Sequence, residues 1–410
     1  MFFFDIIIEV GDIMKILAVN AGSSSLKFQL LEMPKEEVLI SGYIEKIGLS
    51  DSFWNTKVNG EKIKGERYLK DHSEAVKVLI EELLKYKVVN TLEEIDGIAH
   101  RVLHGGEKYS DSVLINDEVI NDIKELTKLG PLHHPGNLAG IEAFKKELPD
   151  TPMVAVFDTA FHQTMPKDKY IFPVPYEWYK NYGVRKYGFH GTSHKYITEE
   201  MKERLNKKDV NLIVCHIGSG ASISCVKEGK CYDTTMGITP LDGLMMGTRS
   251  GSIDPSIIEY VSKESGMDIE EITNKLNKES GLLGISTYSD RRDVLEGALS
   301  GDEMCKLALE MYDTRIANYV AQYYIELGGK VDAIVFTAGA GENSDQLRED
   351  IADRLKPLGL EIDKELNSKI AGFKELHEGK ISTNKSSVDI YVIPTNEELM
   401  MVKETYDLIK

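Results

Sequence analysis

The chain predicts an α/β fold built from two duplicated domains with a ligand cleft between them, and three observations point there. Its 410 residues exceed what one ordinary hydrophobic core organises. A strand–turn–strand pattern near the start returns in the middle: Lys15-Ile-Leu-Ala-Val, Asn20-Ala-Gly-Ser-Ser-Ser and Lys27-Phe-Gln-Leu-Leu are answered by Leu212-Ile-Val-Cys, His216-Ile-Gly-Ser-Gly-Ala and Ser222-Ile-Ser-Cys-Val. Several apolar runs of buried-strand length then end in polar or glycine-rich turns, where open α/β sheets place their ligands.

Taken in order, residues 15–19 read as a strand, stopped by the Gly/Ser turn and followed by a second strand from Lys27. Laid over the later copy, Asn20 meets His216, Gly22 meets Gly218 and Ser23 meets Ser219, so each domain offers a similar hairpin. Helical spacing of apolar residues covers 73–86, 115–128 and 137–147, the last behind Pro135-Gly136. Met153-Val-Ala-Val-Phe157 is a buried strand that runs into Asp158-Thr-Ala-Phe-His, and the proline-rich Phe172–Tyr176 marks the neighbourhood of the domain crossing. Beyond 250, helices alternate with the strand Ala333–Thr337, which opens into Ala338-Gly-Ala-Gly-Glu-Asn343. The last strand, Asp389–Ile393, ends in Pro394-Thr-Asn-Glu-Glu398, and a closing helix runs to Lys410.

Composition narrows the function. Hydrophobic residues at 42% and charged residues at 28% describe a globular protein. With 67 acidic against 49 basic residues the net charge is −18, which argues against a nucleic-acid or anionic-membrane partner but leaves room for a local Arg/Lys cluster around an anionic substrate. The four cysteines form no C-x-x-C pair, so free thiols in a reducing cytoplasm are expected rather than a zinc site. No apolar run approaches a membrane span. Residues 1–13 lack a basic n-region and a cleavage site, and read as an extension or mis-assigned start ahead of Met14.

Three groups of residues carry chemistry. Asn20-Ala-Gly-Ser-Ser-Ser-Leu-Lys27 joins small residues, hydroxyls and one cation, as a phosphate-facing turn requires, although an ordinary hairpin would look the same. It is no Walker loop, and Ile223 spoils a G-x-G-x-x-G reading of His216-Ile-Gly-Ser-Gly. Arg101, in His100-Arg-Val-Leu-His-Gly-Gly106, and Arg249, in Thr248-Arg249-Ser-Gly, lie in small-residue loops suited to bidentate recognition of carboxylate or phosphate; a solvated surface arginine is the alternative for both. In Tyr187-Gly-Phe-His-Gly-Thr-Ser-His194, His190 and His194 invite a metal reading, but no glutamate sits at zincin spacing, and His190 donating to a transferring phosphoryl group is the sharper idea. His133-His134 is a core or turn pair, and Asp158 is either a helix cap or a buried charge aimed at a cleft.

With Pro131-Leu-His-His-Pro, Val156-Phe-Asp-Thr-Ala-Phe-His-Gln-Thr, Met246-Gly-Thr-Arg-Ser-Gly, Gly339-Ala-Gly-Glu-Asn and Pro394-Thr-Asn-Glu-Glu, these strings occur in the order found in acetate kinases, and residues 14–410 resemble that family throughout. The resemblance implies the acetate and sugar kinase/Hsp70/actin architecture, with actin-like (RNase H-like) domains at 14–163, joined by the closing helix 397–410, and at 164–396. It implies reversible transfer of a phosphoryl group between ATP and acetate, a homodimer, and a requirement for Mg²⁺, with Mn²⁺ able to substitute.

Residue by residue, the resemblance gives Asn20 and Glu397 to the metal, Lys27 to the nucleotide phosphates and Arg101 to the substrate carboxylate. His190 and Arg249 would stabilise the transferring group. His216, Ile217, Gly218, Ser219 and Gly220, then Asp290, Arg291 and Arg292, then Gly339, Ala340, Gly341, Glu342 and Asn343 would bind the nucleotide, the last group around adenosine. Leu103, Leu132, Phe189 and Pro240 would face the acyl methyl; Leu103 stands where many relatives carry valine and favours acetate over propionate. The family labels the Asp158 position a proton donor or acceptor. A short carboxylic acid is already ionised at neutral pH, however, so orienting an arginine or the metal shell is the more economical task.

Two departures from the family pattern stand out: Ser219 replaces a common asparagine and Ser252 a common aspartate. The alternatives are a propionate kinase of the same family, with butyrate kinase fitting the motifs less well, or an Hsp70- or actin-like ATPase module without a small-molecule acceptor. The last would leave Arg101, His190 and Arg249 without a task.

Overall fold

The structure, a computed structural model, describes residues 12–131, 133–371, 374 and 376–410. The extension expected over 1–13 lies outside the described residues except for Asp12 and Ile13, and the acyl-pocket residue Leu132 lies outside them too. The chain forms two compact units, one running to Ala160 and taking in Asn396–Lys410, the other Phe161–Thr395.

The first unit is organised by a sheet of β1 (Met14–Ala21), β2 (Ser25–Met33), β3 (Glu37–Glu45), β4 (Phe53–Val58), β5 (Glu61–Glu66), β6 (Gly97–Val102), β7 (Val113–Leu114) and β8 (Met153–Phe157), in the order β5-β4-β3-β2-β1-β6-β8-β7. β1 to β5 form an antiparallel meander, while β1, β6 and β8 run parallel. The second unit repeats this plan with β9 (Leu212–Ile217), β10 (Ala221–Lys227), β11 (Lys230–Thr234), β12 (Ala333–Thr337), β13 (Gly379–Lys380) and β14 (Asp389–Val392), ordered β11-β10-β9-β12-β14-β13. There β9, β10 and β11 are antiparallel neighbours and β9, β12 and β14 are parallel. Strands β3-β2-β1-β6-β8 and β11-β10-β9-β12-β14 therefore share one order and one set of directions, which is the duplication the paired hairpins predict.

The central strands read as continuous apolar runs because both their faces are covered. Every residue of β8, β9 and β12 is buried. In the first unit Leu17, Val19, Phe28 and Leu30 pack with Val76, Leu79 and Leu83 of helix His72–Lys85 and with Phe144 of helix His134–Glu147. In the second, Leu212, Val214 and Val335 pack with Ile197 and Met201 of helix Gly191–Arg204. Each such side chain contributes about 1.5–3 kcal/mol by leaving water. The closing helix, Glu397–Ile409, packs on β1 and β6. It approaches β6 so closely that a Cβ on Gly97 would meet Ile409 Cδ1 at 2.6 Å. That packing delivers Glu397, its first residue, beside the carboxyl ends of β6 and β8.

Candidate active site

In the first unit, Asn20 and Lys27 face each other as cross-strand partners of β1 and β2, and the turn between them is closed by Gly22 N–H donating to the Ser25 carbonyl at 2.9 Å. Its position is fixed from two sides. His72 Nε2 lies 2.8 Å from the Gly22 carbonyl oxygen, and helix His134–Glu147 presses its Gly136 against the turn, where a Cβ would meet Gly22 backbone atoms at 2.6 Å. Buried Asn137 ties this turn to the loop after β6: its Nδ2 donates to the Ala21 carbonyl at 2.9 Å and its Oδ1 accepts from Leu103 N–H at 3.2 Å.

Arg101 sits at the end of β6 and Asp158 directly after β8, so parallel pairing brings them together. Arg101 Nε donates to Asp158 Oδ1 at 2.9 Å and Nη2 to Oδ2 at 2.7 Å, a two-pronged pair, while Nη1 lies 3.4 Å from Glu397 Oε2. Asp158 is buried and Arg101 keeps a fifth of its side chain exposed. Asp158 is thus a buried charge rather than a helix cap. Burial alone would lower the guanidinium pKa; the Asp158 and Glu397 charges outweigh it and raise it. Burial raises the Glu397 pKa, with the Asp158 carboxylate adding to it and Arg101 and Lys27 opposing.

Among the described residues no group of three or more His, Cys, Asp or Glu side chains gathers as a metal cage. Magnesium needs none, because it takes one or two carboxylates and fills its shell with water and substrate phosphate oxygens. A half-buried carboxylate at Glu397, whose pKa burial raises, fits that chemistry.

The second unit centres on the turn after β9. Gly218 N–H donates to the Gly220 carbonyl at 3.0 Å. A Cβ placed on Gly220 would lie 3.4 Å from Arg249 Nη1 and 3.5 Å from His190 Nε2, so both donors converge on this glycine. His190 caps helix Gly191–Arg204 in the left-handed region, with φ 58° and ψ 24°, a conformation histidine tolerates better than most residues. Its ring stacks on His216 at 4.2 Å between centroids, and its Nδ1 lies 2.9 Å from Ser222 Oγ. His194 Nε2 lies 2.8 Å from the same hydroxyl, so His190 and His194 meet on Ser222. Ser193 Oγ bonds His216 Nδ1 at 2.8 Å and Thr395 Oγ1 at 2.7 Å. Arg249 Nη1 donates to the Pro240 carbonyl at 3.2 Å, and burial lowers its pKa. Phe189 is buried and Pro240 half-buried in this unit, and Leu103 is buried in the first.

The expected nucleotide residues divide. Gly339 approaches the hairpin, since a Cβ there would meet Gly218 Cα at 3.5 Å. Ala338 holds a left-handed φ of 63°, secured by Glu342 Oε1, which accepts from Ala338 N–H at 2.6 Å and Thr395 N–H at 3.1 Å. Burial raises the Glu342 pKa. Asn343 turns back on the Gly339 carbonyl at 2.9 Å. Ser219 is exposed and Ile217 buried, with Ala340 half-buried and Gly341 buried. Asp290 caps helix Arg291–Leu299 and pairs with exposed Arg292 at 2.6 Å, whereas Arg291 points inward to Ser344 Oγ at 3.1 Å and Asp313 at 3.4 Å. At the other departure position, Ser252 Oγ donates to Asp242 Oδ1 at 2.6 Å. Sequence reasoning missed Asn137, Ser222 and Thr395. The only local signal was the overlay of the two hairpins, which puts Ser222 one strand position past the turn.

Residues 15–403 match the family model of the acetokinase family. The chain is 51% identical over 399 residues to an acetate kinase of Bacillus subtilis, covering 97% of this chain and 100% of the relative. It is 50% identical over 403 residues to an acetate kinase of Thermotoga maritima, covering 97% and 99%. Among solved structures, an acetate kinase of Porphyromonas gingivalis superposes with a TM-score of 0.91 at 43% identity, covering 97% of this chain and all of that one. A propionate kinase of Francisella tularensis gives 0.91 at 44%, covering 96% and 100%. The chain belongs to the acetokinase family, and its two-unit α/β fold is the actin-like one of that family.

Proposed function

We propose that this member of the acetokinase family catalyses reversible phosphoryl transfer between ATP and acetate, giving acetyl phosphate and ADP. The observation that carries the reading is the division of labour among the cations. Arg101 gives one edge of its guanidinium to Asp158, leaving further N–H groups on Nη1 and Nη2 for a carboxylate. Arg249 and His190 converge at Gly220, where a phosphoryl group can take both as donors.

An acetate oxygen, already ionised, attacks the γ-phosphorus in line with the leaving ADP oxygen. Arg249 and His190 share the charge that builds on the transferring group, and Asp158 keeps Arg101 aimed without taking a proton. Glu397 and Asn20 would hold Mg²⁺, which would supply positive charge to the nucleotide phosphates. Lys27 and the turn 216–220 receive the phosphates, and the segment 339–343 receives the nucleoside. The chain acts in the cytoplasm as a homodimer. Four buried thiols without a disulfide and exposed apolar side chains such as Tyr260 and Ile269 support these two statements, and no helix among the described residues is long and apolar enough to cross a membrane.

Propionate is the second candidate acceptor, favoured by the likeness to the Francisella structure. Trapping acyl phosphate with hydroxylamine, with acetate or propionate, ATP and Mg²⁺ each omitted in turn, decides both points. Product that depends on all three components establishes the kinase, and the ratio of kcat/KM for the two acids names the substrate. Intact ATP binding with no acyl hydroxamate from either acid refutes the proposal.

A further inference from the structure

Ser222 stands fully buried on β10 with a histidine on either side of its hydroxyl, His190 Nδ1 at 2.9 Å and His194 Nε2 at 2.8 Å. A hydroxyl carries one proton and two lone pairs; accepting from both rings would leave its own proton without an acceptor among the described residues, so it donates to one ring and accepts from the other. Two arrangements satisfy both distances. In the first, His194 Nε2–H donates to Ser222, and the Ser222 hydroxyl donates to His190 Nδ1. In the second the direction is reversed.

His194 decides between them. Its ring is buried against His162 at 5.6 Å and His216 at 6.1 Å between centroids. Its Nδ1 finds no protein hydrogen-bond partner among the described residues. Around it the nearby groups are committed: His162 Nδ1 to Cys231 Sγ at 3.1 Å, His162 Nε2 to the Phe189 carbonyl at 2.9 Å, and His216 Nδ1 to Ser193 at 2.8 Å. Burial, reinforced by His162 and His216, pushes the His194 pKa well down, so the ring carries a single proton. The reversed arrangement would put that proton on Nδ1, as a buried N–H donor with no acceptor. Orphaned buried N–H groups are among the rarest features of native structures, rarer than an acceptor lone pair left unused. The proton therefore belongs on His194 Nε2, which sends the Ser222 proton towards His190.

We propose that Ser222, oriented by His194, is a positioning residue that fixes His190 in the tautomer with its proton on Nε2, the nitrogen that faces Gly220 beside Arg249. The consequence is directional. A neutral imidazole offers one donor, and the relay aims it at the site where phosphoryl charge develops rather than back into the protein. Reversing the relay would leave His190 presenting a lone pair to an anion. This inference rests on the assignment of His190 to the transferring phosphoryl group, but its direct readout is independent of turnover.

The test is long-range ¹H–¹⁵N correlation on the full chain labelled with ¹⁵N-histidine, without nucleotide, at about pH 7.5, a little above the ordinary histidine pKa. His190 is identified as the signal lost in His190→Gln. The expected result is the Nε2–H pattern for His190 and for His194. In Ser222→Ala the His190 pattern should shift towards a mixture of tautomers, and kcat for acetyl phosphate formation should fall about 10–100-fold, the range for partners that orient a functional histidine. KM for ATP should hold within about twofold, and Ser222→Thr, which keeps the hydroxyl, should restore pattern and rate. A His190 pattern in the unaltered chain that is Nδ1–H or doubly protonated overturns the proposal. So does a Ser222→Ala chain with unchanged pattern and kcat. If Ser222→Ala does not fold, the unaltered chain's pattern decides alone. Failure of the unaltered chain to make acyl phosphate would overturn the kinase reading instead, and the tautomer pattern would still be measured.

Discussion

Replacing Gly220 with alanine places a methyl group 3.4 Å from Arg249 Nη1 and 3.5 Å from His190 Nε2. These are ordinary van der Waals separations, so nothing has to move. The backbone at Gly220 lies outside the left-handed region, and the Gly218 N–H to Gly220 carbonyl bond does not involve the side chain. On the stability side, alanine should cost nothing and should add about 0.4–1 kcal/mol through a less free unfolded chain. Catalysis is different. An oxygen accepting from both donors must lie about 2.7–3.1 Å from each, and a methyl carbon seated against both fills that space.

Losing one such donor costs on the order of 10²–10³ in turnover, about 2.7–4 kcal/mol, so Gly220→Ala should fall at least that far. The assay is acyl hydroxamate formation with saturating acetate and ATP, alongside a thermal melt and a calorimetric ATP titration. The expected triplet is a collapsed kcat, an unchanged or slightly raised Tm, and ATP binding weaker than in the parent chain, because Gly220 belongs to the turn assigned to the phosphates. Full turnover with the methyl in place would refute the convergence of Arg249 and His190 on the transferring group. A large drop in Tm would refute the claim that the site accommodates the methyl.

Arg249→Ala should lower kcat by on the order of 10²–10³ while leaving ATP binding little changed, since the guanidinium is assigned to charge that builds in transfer; an unchanged kcat removes it from the mechanism. Asp158→Asn should lose about 1.5–3 kcal/mol of stability, read by denaturant titration, and should lower kcat/KM for acetate. It should leave the shape of the pH–rate profile intact, and a variant that loses the acid limb would make Asp158 a base after all. Glu397→Gln should raise the metal-free Tm by about 1–2 °C at about pH 8 while reducing Mg²⁺-dependent turnover. The sign follows from a carboxyl whose folded pKa is raised: its contribution to stability is full below the unfolded pKa and is lost as pH rises through the folded one. The advantage of glutamine should therefore shrink on acidification, and a constant offset from about pH 8 to 5 would refute that origin. Leu103→Val should move the propionate-to-acetate ratio of kcat/KM upward by about tenfold, within the ~1–3 kcal/mol that one methylene can discriminate; an unmoved ratio takes Leu103 out of the acyl pocket.

What the sequence made legible was whatever burial writes as an uninterrupted run. Met153–Phe157 and Ala333–Thr337 are wholly buried and were bounded to the residue, because a strand covered on both faces admits no polar interruption. Strands β3 to β5 left no such mark. Glu61–Glu66 has no fully buried residue, and Glu37–Glu45 mixes charges with half-buried positions, so the apolar periodicity is weak. Asn137 and Ser222 were hidden for another reason. Their roles are set by partners 116 residues away at Ala21 and 28 to 32 away at His194 and His190, and a lone polar residue in a helix or strand does not announce such contacts. Arg291 and Arg292 show the limit of motif reasoning, since adjacent positions on a helix point about 100° apart. One arginine consequently enters a buried pair with Asp313 while the other stays in solvent with Asp290.

The charges of the two units are unequal in a way that bears on which ligand each receives. In the first, the Arg101 guanidinium is set against two carboxylates, Asp158 and Glu397, with Lys27 the other cation acting on Glu397. Burial, with the Asp158 carboxylate beside it, raises the Glu397 pKa, and a divalent cation would favour the ionised carboxylate. In the second, Arg249 leans on neutral groups, the Pro240 carbonyl and Met246 Sδ, and burial is the whole cause of its lowered pKa. A partly desolvated cation that pairs with no carboxylate among the described residues would be relieved by an anion, and the His190 donor beside it calls for the same sign. On the proposed reading the first unit takes a metal ion and the second takes an anion. On that reading, a phosphoryl group whose charge grows as it is transferred would offset the cost of burying Arg249.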